Sequence, residues 1–143
     1  MTRSHQLLAI VPAFLLGVVF EVFLGHRHDY VGHFAAGYGA TLLFGVLCQR
    51  IWFTEKDYPK RPLVWLLPTV LFCIFLGVIT ELTVFRIAKF DEIDFFNQSL
   101  GAVLAGMILL AGVQDRPKEA EHISMEIFVA VVFLGLGAVY AVS

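Results

Sequence analysis

Residues 63–85 read LVWLLPTVLFCIFLGVITELTVF, an apolar run with no Lys or Arg in which Glu81 is the one acidic residue. A bilayer hydrocarbon core of roughly 30 Å takes about 20 helical residues to cross, so this stretch has the length and character of a transmembrane helix. Working outward, four more apolar runs appear: Leu7 to Leu24, Tyr30 to Phe53, Phe95 to Val113 and Ile127 to Val142. An open sheet would leave backbone groups unpaired in lipid, so each run reads as a helix. The expected fold is all-α, a polytopic membrane helix bundle of about five transmembrane helices, forming a single membrane domain over residues 1–143. Composition agrees: 59% hydrophobic residues against 15% charged, with a mean hydropathy of +0.81, is too apolar for a water-soluble domain of this length.

Charge constrains orientation and partners. On alternate sides of the five runs fall Arg3, Arg50, Lys56, Lys60, Arg61, Arg116 and Lys118, against Arg27, Arg86 and Lys89. Seven against three predicts a cytoplasmic N-terminus and an outside C-terminus in a cell membrane, expected to be the bacterial cytoplasmic membrane. The first run carries Glu21 and lacks a small-residue cleavage pattern, so it reads as a retained helix rather than a signal peptide. A net charge of -2 with dispersed basic residues offers no grip for a phosphate backbone, which excludes nucleic acid as a partner class. Cys48 and Cys73 have no metal-ligand spacing and read as packing residues. The sequence calls for no cofactor and assigns no protein partner.

The chain also echoes itself. FLLGVVFEVF, with Gly17 and Glu21, returns sixty residues later as IFLGVITELTVF, with Gly77 and Glu81. DYVGHFAAG, with His33 and Gly37, returns sixty-four residues later as DFFNQSLG, with Asn97 and Gly101. A tandem repeat of two-helix units is expected, residues 7–53 and 63–113, related by a pseudo-twofold axis along the membrane normal, with residues 127–142 as an appended helix.

Alternating helix direction brings Glu21, His33, Glu81 and Asn97 to the extracytoplasmic leaflet. Each has a glycine one helical turn deeper, a spacing that allows close helix approach. An ionised carboxylate in the bilayer needs a partner, water or an interface to snorkel to. A shared cavity open to the outer leaflet is expected, lined by these four residues. Asp29 and Asp94 precede apolar runs and are expected to cap helix N-termini as well as border the site. Arg86 is either a headgroup anchor or an anion binder. The candidate ligand-binding set is therefore Glu21, Asp29, His33, Glu81, Arg86, Asp94 and Asn97, with His33 and Glu81 the candidates for acid–base chemistry. No strict metal motif is present, so no metal is assigned.

In Asp29-Tyr30-Val31-Gly32-His33-Phe34, and in the stretch from Glu81 through FDEIDFFNQSLGAVLAG, the chain resembles the VanZ-like family of small polytopic membrane proteins and the related YjdF-type proteins. The matching positions are Asp29, His33, Glu81, Asp94, Asn97 and Gly101. The chain departs from the family pattern at Leu82, Thr83 and Val84, where a glutamine commonly follows the glutamate, and in the placement of Arg86. The resemblance implies a cell-envelope protein; the namesake is associated with resistance to the glycopeptide teicoplanin. Two function classes are carried forward from the polar site, while a third, a transporter or assembly partner, is disfavoured because no run carries polar residues through the full membrane thickness. One is a non-enzymatic module that binds a membrane lipid or lipid-linked envelope component at its polar site. The other is a membrane enzyme acting on lipid headgroups or lipid-linked sugars through His and carboxylate acid–base chemistry.

Overall fold

The computed structural model describes residues 3–23, 28–52, 62–83, 91–113 and 124–142, and these residues are helical apart from short flanking positions. The helices are α1 (Arg3–Val18), which closes in a π-helical turn at Val19–Phe23, α2 (His28–Trp52), α3 (Leu63–Thr83), α4 (Glu92–Val113) and α5 (Ser124–Val142). Three segments are long and apolar enough to cross a membrane: His28–Gln49, Leu63–Thr83 and Glu92–Ala111. The apolar parts of α1 and α5, Ile10–Phe23 and Ile127–Tyr140, are shorter.

Helix α2 is the axis of the bundle, packing most extensively on α4 and α5 and less on α3 and α1. Its buried side chains include Phe34, Tyr38, Leu42 and Val46. Tyr38 is wholly enclosed between the rings of Phe34 and Phe133, with centroids 6.1 and 4.9 Å away. Aromatic pairs of this kind add about 0.5–1.5 kcal/mol each beyond the area they bury.

Glycines set the spacing between α2 and α4. A Cβ on Gly37 would fall on the backbone carbonyl of Gln98, and one on Gly101 would fall on the backbone carbonyl of Phe34. Phe34 and Gln98 are sixty-four positions apart, as are Gly37 and Gly101. Further along, Gly45 faces Leu109, again sixty-four on. The two helices thus run parallel and meet through reciprocal contacts, each glycine admitting the backbone of the other helix. On α3, Gly77 receives the side-chain amide of Gln98. Gly17 differs: a Cβ there meets nothing within 4 Å, so the close approach expected at that glycine does not occur.

Helix α5 is no loose addition to the packing. Gly39 lies on the carbonyl of Ala130, and Gly137 lies on Ala36, so α5 runs antiparallel along α2 as closely as α4 runs parallel to it. His28 stacks on Tyr140 with ring centroids 5.5 Å apart and planes nearly parallel, which sets the end of α5 beside the start of α2. The Phe20–Phe34 contact, with centroids at 5.8 Å, sets the end of α1 at the same place. The start of α1 and the end of α5 consequently lie at opposite ends of the bundle.

The cap of α4 corrects one expectation. Asp91, not Asp94, precedes the helix, and its Oδ1 accepts a hydrogen bond from the Ile93 backbone N–H at 2.8 Å. Asp94 lies inside the first turn and is released from capping. Asp29 likewise lies in the first turn of α2 rather than ahead of it. Asp91→Ala is expected to cost about 0.5–2 kcal/mol, the usual range for a lost N-cap. Thermal unfolding in detergent checks this, and hydrogen exchange should quicken first at residues 92–95.

Candidate functional site

Three helices bring one imidazole and two carboxylates together. His33 comes from the second turn of α2, Glu81 from the last turn of α3 and Asp94 from the first turn of α4. His33 Nδ1 stands 3.6 Å from Glu81 Oε1, and His33 Nε2 stands 3.4 Å from Asp94 Oδ2. Glu81 is buried, its side chain 7% exposed, while His33 and Asp94 keep 13% and 16%. One ligand atom from each of the three falls within 4.8 Å of the others. Each ring nitrogen therefore faces a carboxylate, and only a doubly protonated ring donates from both.

The distances are those of ion pairs rather than of close hydrogen bonds, for which about 2.7–3.2 Å is usual. The cluster also has unused capacity. Among the described residues, Asp94 Oδ1 is buried without a hydrogen-bond partner, and so is Nδ2 of Asn97, a residue only 3% exposed. Asn97 lies one turn beyond Asp94 on the same face of α4. Because helical Cα–Cβ bonds tilt towards the N-terminus, its side chain leans back towards that aspartate. Thr80 and Thr83, by contrast, donate to the carbonyls of Leu76 and Ile79 at 2.8 and 2.6 Å within α3, so both hydroxyls are already used beside Glu81.

Comparison with protein-family models, with curated proteins and with solved structures finds no match to this chain. The reading of the site accordingly rests on its own geometry.

Of the sequence candidates, His33, Glu81 and Asp94 form the cluster and Asn97 lies next to it. Glu21 does not join them. It sits in the π-helical turn after α1 and pairs with His28, Oε2 to Nδ1 at 3.1 Å, where both side chains are substantially exposed, 36% and 51%. Each of the two glutamates expected to share a cavity pairs with a histidine of its own, Glu21 with His28 and Glu81 with His33. The physical reason lies in the neighbours: His28 begins α2 directly across from the end of α1, and it takes up Glu21 before that carboxylate reaches the interior. Asp29 is at the same end, half-buried in the first turn of α2. Arg86 lies outside the described residues.

Sequence reasoning missed His28, which lies outside every apolar run, together with the buried polar residues Thr41 and Gln49 of α2. Thr41 is wholly enclosed. A usable signal existed in the helical spacing, since Thr41 follows the buried Tyr38 by three positions and so shares its inward face.

Proposed function

We propose that this chain is a membrane-embedded binding protein whose His33–Glu81–Asp94 cluster takes the hydroxyl-rich headgroup of a lipid-linked cell-envelope component, in the manner of a VanZ-like protein. The observation that carries the reading is the cluster itself: an acceptor-rich group towards one end of the bundle, with a buried carboxylate oxygen and a buried amide that have no partner among the described residues. Carboxylates accept hydrogen bonds, which favours sugar hydroxyls as the contacting groups. Retained polar groups of this kind inside a membrane bundle are costly and mark binding sites.

Support for the bilayer as solvent comes from the outer faces, where Phe14, Phe75, Phe96, Met107 and Phe128 each expose more than half their surface. A water-soluble monomer rarely carries so continuous an apolar surface. Five crossings, a tandem repeat of helix pairs, a cytoplasmic N-terminus and an outside C-terminus complete the proposal. The reciprocal Gly37 and Gly101 contacts support the repeat, and the opposite placement of the two helix ends supports an odd number of crossings. Reporter fusions at both ends check the topology: a cytoplasmic C-terminus contradicts either the orientation or the helix count.

A second reading, acid–base chemistry on the same headgroup, is favoured by the placement of both nitrogens of His33 against carboxylates, which fixes the ring for proton transfer.

Native mass spectrometry of the protein purified from envelope membranes in mild detergent tests binding. Wild type is expected to retain an amphiphile with a sugar headgroup that Glu81→Gln loses and Glu21→Gln keeps. Retention unaffected by Glu81→Gln sinks the proposed site.

A further inference from the structure

We infer that His33, Glu81 and Asp94 bind a divalent first-row transition-metal ion, held at the end of the bundle with coordination positions left open for a hydroxyl oxygen of the headgroup. This deepens the headgroup-binding reading and rests on the same cluster.

Geometry comes first. The three donors arise from three different helices, so the chain converges on the site from three directions rather than along one face. Around a tetrahedral ion with ligand bonds of about 2.0–2.2 Å, neighbouring donor atoms stand roughly 3.3–3.6 Å apart. The 3.6 and 3.4 Å separations run to opposite nitrogens of the His33 ring, and one donor from each of the three residues falls within 4.8 Å of the others, a spread that has to tighten by about 1 Å around one ion. Both carboxylates sit on terminal torsions that turn easily, so Glu81 and Asp94 can close on one nitrogen of the ring. The other nitrogen is then left to a hydrogen-bond acceptor, the usual arrangement for a ligating imidazole.

Charge points the same way. Two carboxylates and a neutral imidazole around a dication sum to zero, whereas among the described residues the same groups without the ion leave two carboxylates facing one imidazole. A nitrogen with two carboxylate oxygens is a borderline donor set that suits zinc or manganese better than a soft ion. Three protein ligands also leave the open position typical of sites that bind a further molecule, rather than the closed four-ligand shell of a structural zinc.

Independent of the three ligands, Asn97, one turn beyond Asp94, is 3% exposed and its Nδ2 has no hydrogen-bond partner among the described residues. An amide donor placed there can hold the outer oxygen of Asp94, the Oδ1 that likewise lacks a partner, while Oδ2 faces the ring. Outer contacts of this kind typically change metal affinity by about 10–100-fold.

The test uses the full chain in detergent, stripped with a chelator and titrated with Zn2+ or Mn2+ alone. One saturable equivalent is expected. It should weaken by more than about 100-fold in His33→Gln and Glu81→Gln, weaken by about 10–100-fold in Asn97→Ala, and stay unchanged in His28→Gln and Glu21→Gln. X-ray absorption of the zinc-loaded wild type is independent of how the variants fold. One imidazole with oxygen ligands is the expected shell; sulfur, or two imidazoles, overturns the assignment. A stripped wild type that binds no Zn2+ or Mn2+ yet still retains its amphiphile removes the metal and leaves headgroup binding standing. One that binds the ion but retains no amphiphile upholds the metal and removes the headgroup.

Discussion

Gly101→Ala is expected to destabilise the bundle by about 3 kcal/mol, towards the top of the range for overpacking a tight contact. The added methyl would fall on the backbone carbonyl of Phe34, and a main chain in the middle of a helix has no rotamer into which to move. Gly37→Ala should behave alike, because its methyl meets the carbonyl of Gln98. Gly17→Ala and Gly135→Ala should do the opposite. Nothing lies within 4 Å of either position, so both should gain up to about 1 kcal/mol from the better helix propensity of alanine. Thermal unfolding of the four variants in one detergent reads the difference. Equal effects at Gly17 and Gly101 would mean that α2 and α4 are not in backbone contact.

The second large effect is expected at His33. Among the described residues, replacement by Gln removes the group that faces both Glu81 and Asp94, leaving two mostly buried carboxylates beside a neutral amide. Breaking a buried pair by deleting one partner commonly costs about 3–5 kcal/mol. Membrane insertion should survive, since insertion is decided by the apolar lengths of the helices and not by one side chain near an end. The exposed counterpart is the control. His28→Gln breaks a pair that solvent already screens and should cost no more than about 1 kcal/mol. Protein recovered in the membrane fraction, followed by unfolding after extraction, separates insertion from stability.

The helices were legible because their signal is redundant. An apolar run such as residues 63–85 has few folded alternatives in lipid, and the observed α3 ends within two residues of it. His33, Glu81, Asp94 and Asn97 were legible as well, because a charged or amide side chain within such a run stands out at once. Their grouping was less so. Repeat symmetry treats Glu21 and Glu81 as equivalents, yet the chain ahead of His33 supplies His28, whose counterpart sixty-four residues later is Glu92. That single difference gives Glu21 a partner of its own, while the glycine contacts between α2 and α4 stay reciprocal. The capping role was misassigned for a similar reason: Asp91 and Asp94 both precede the apolar run, and only the backbone tells which of them lies before the first turn. Thr41 escaped notice because hydropathy treats a threonine among apolar neighbours as unremarkable, although burial makes its hydroxyl a polar group in need of a partner.

The grouping itself is the central claim, and a pair of double-mutant cycles tests it most directly, with unfolding free energy and amphiphile retention as the two readouts. His33→Gln combined with Glu81→Gln is expected to be non-additive by about 0.5–3 kcal/mol, the range for residues in one network, with the double variant no worse at retaining amphiphile than either single one. Glu21→Gln combined with Glu81→Gln is expected to be additive within about 0.5 kcal/mol, as for separate sites. Coupling between the two glutamates, with His33 and Glu81 acting independently, would contradict the site described.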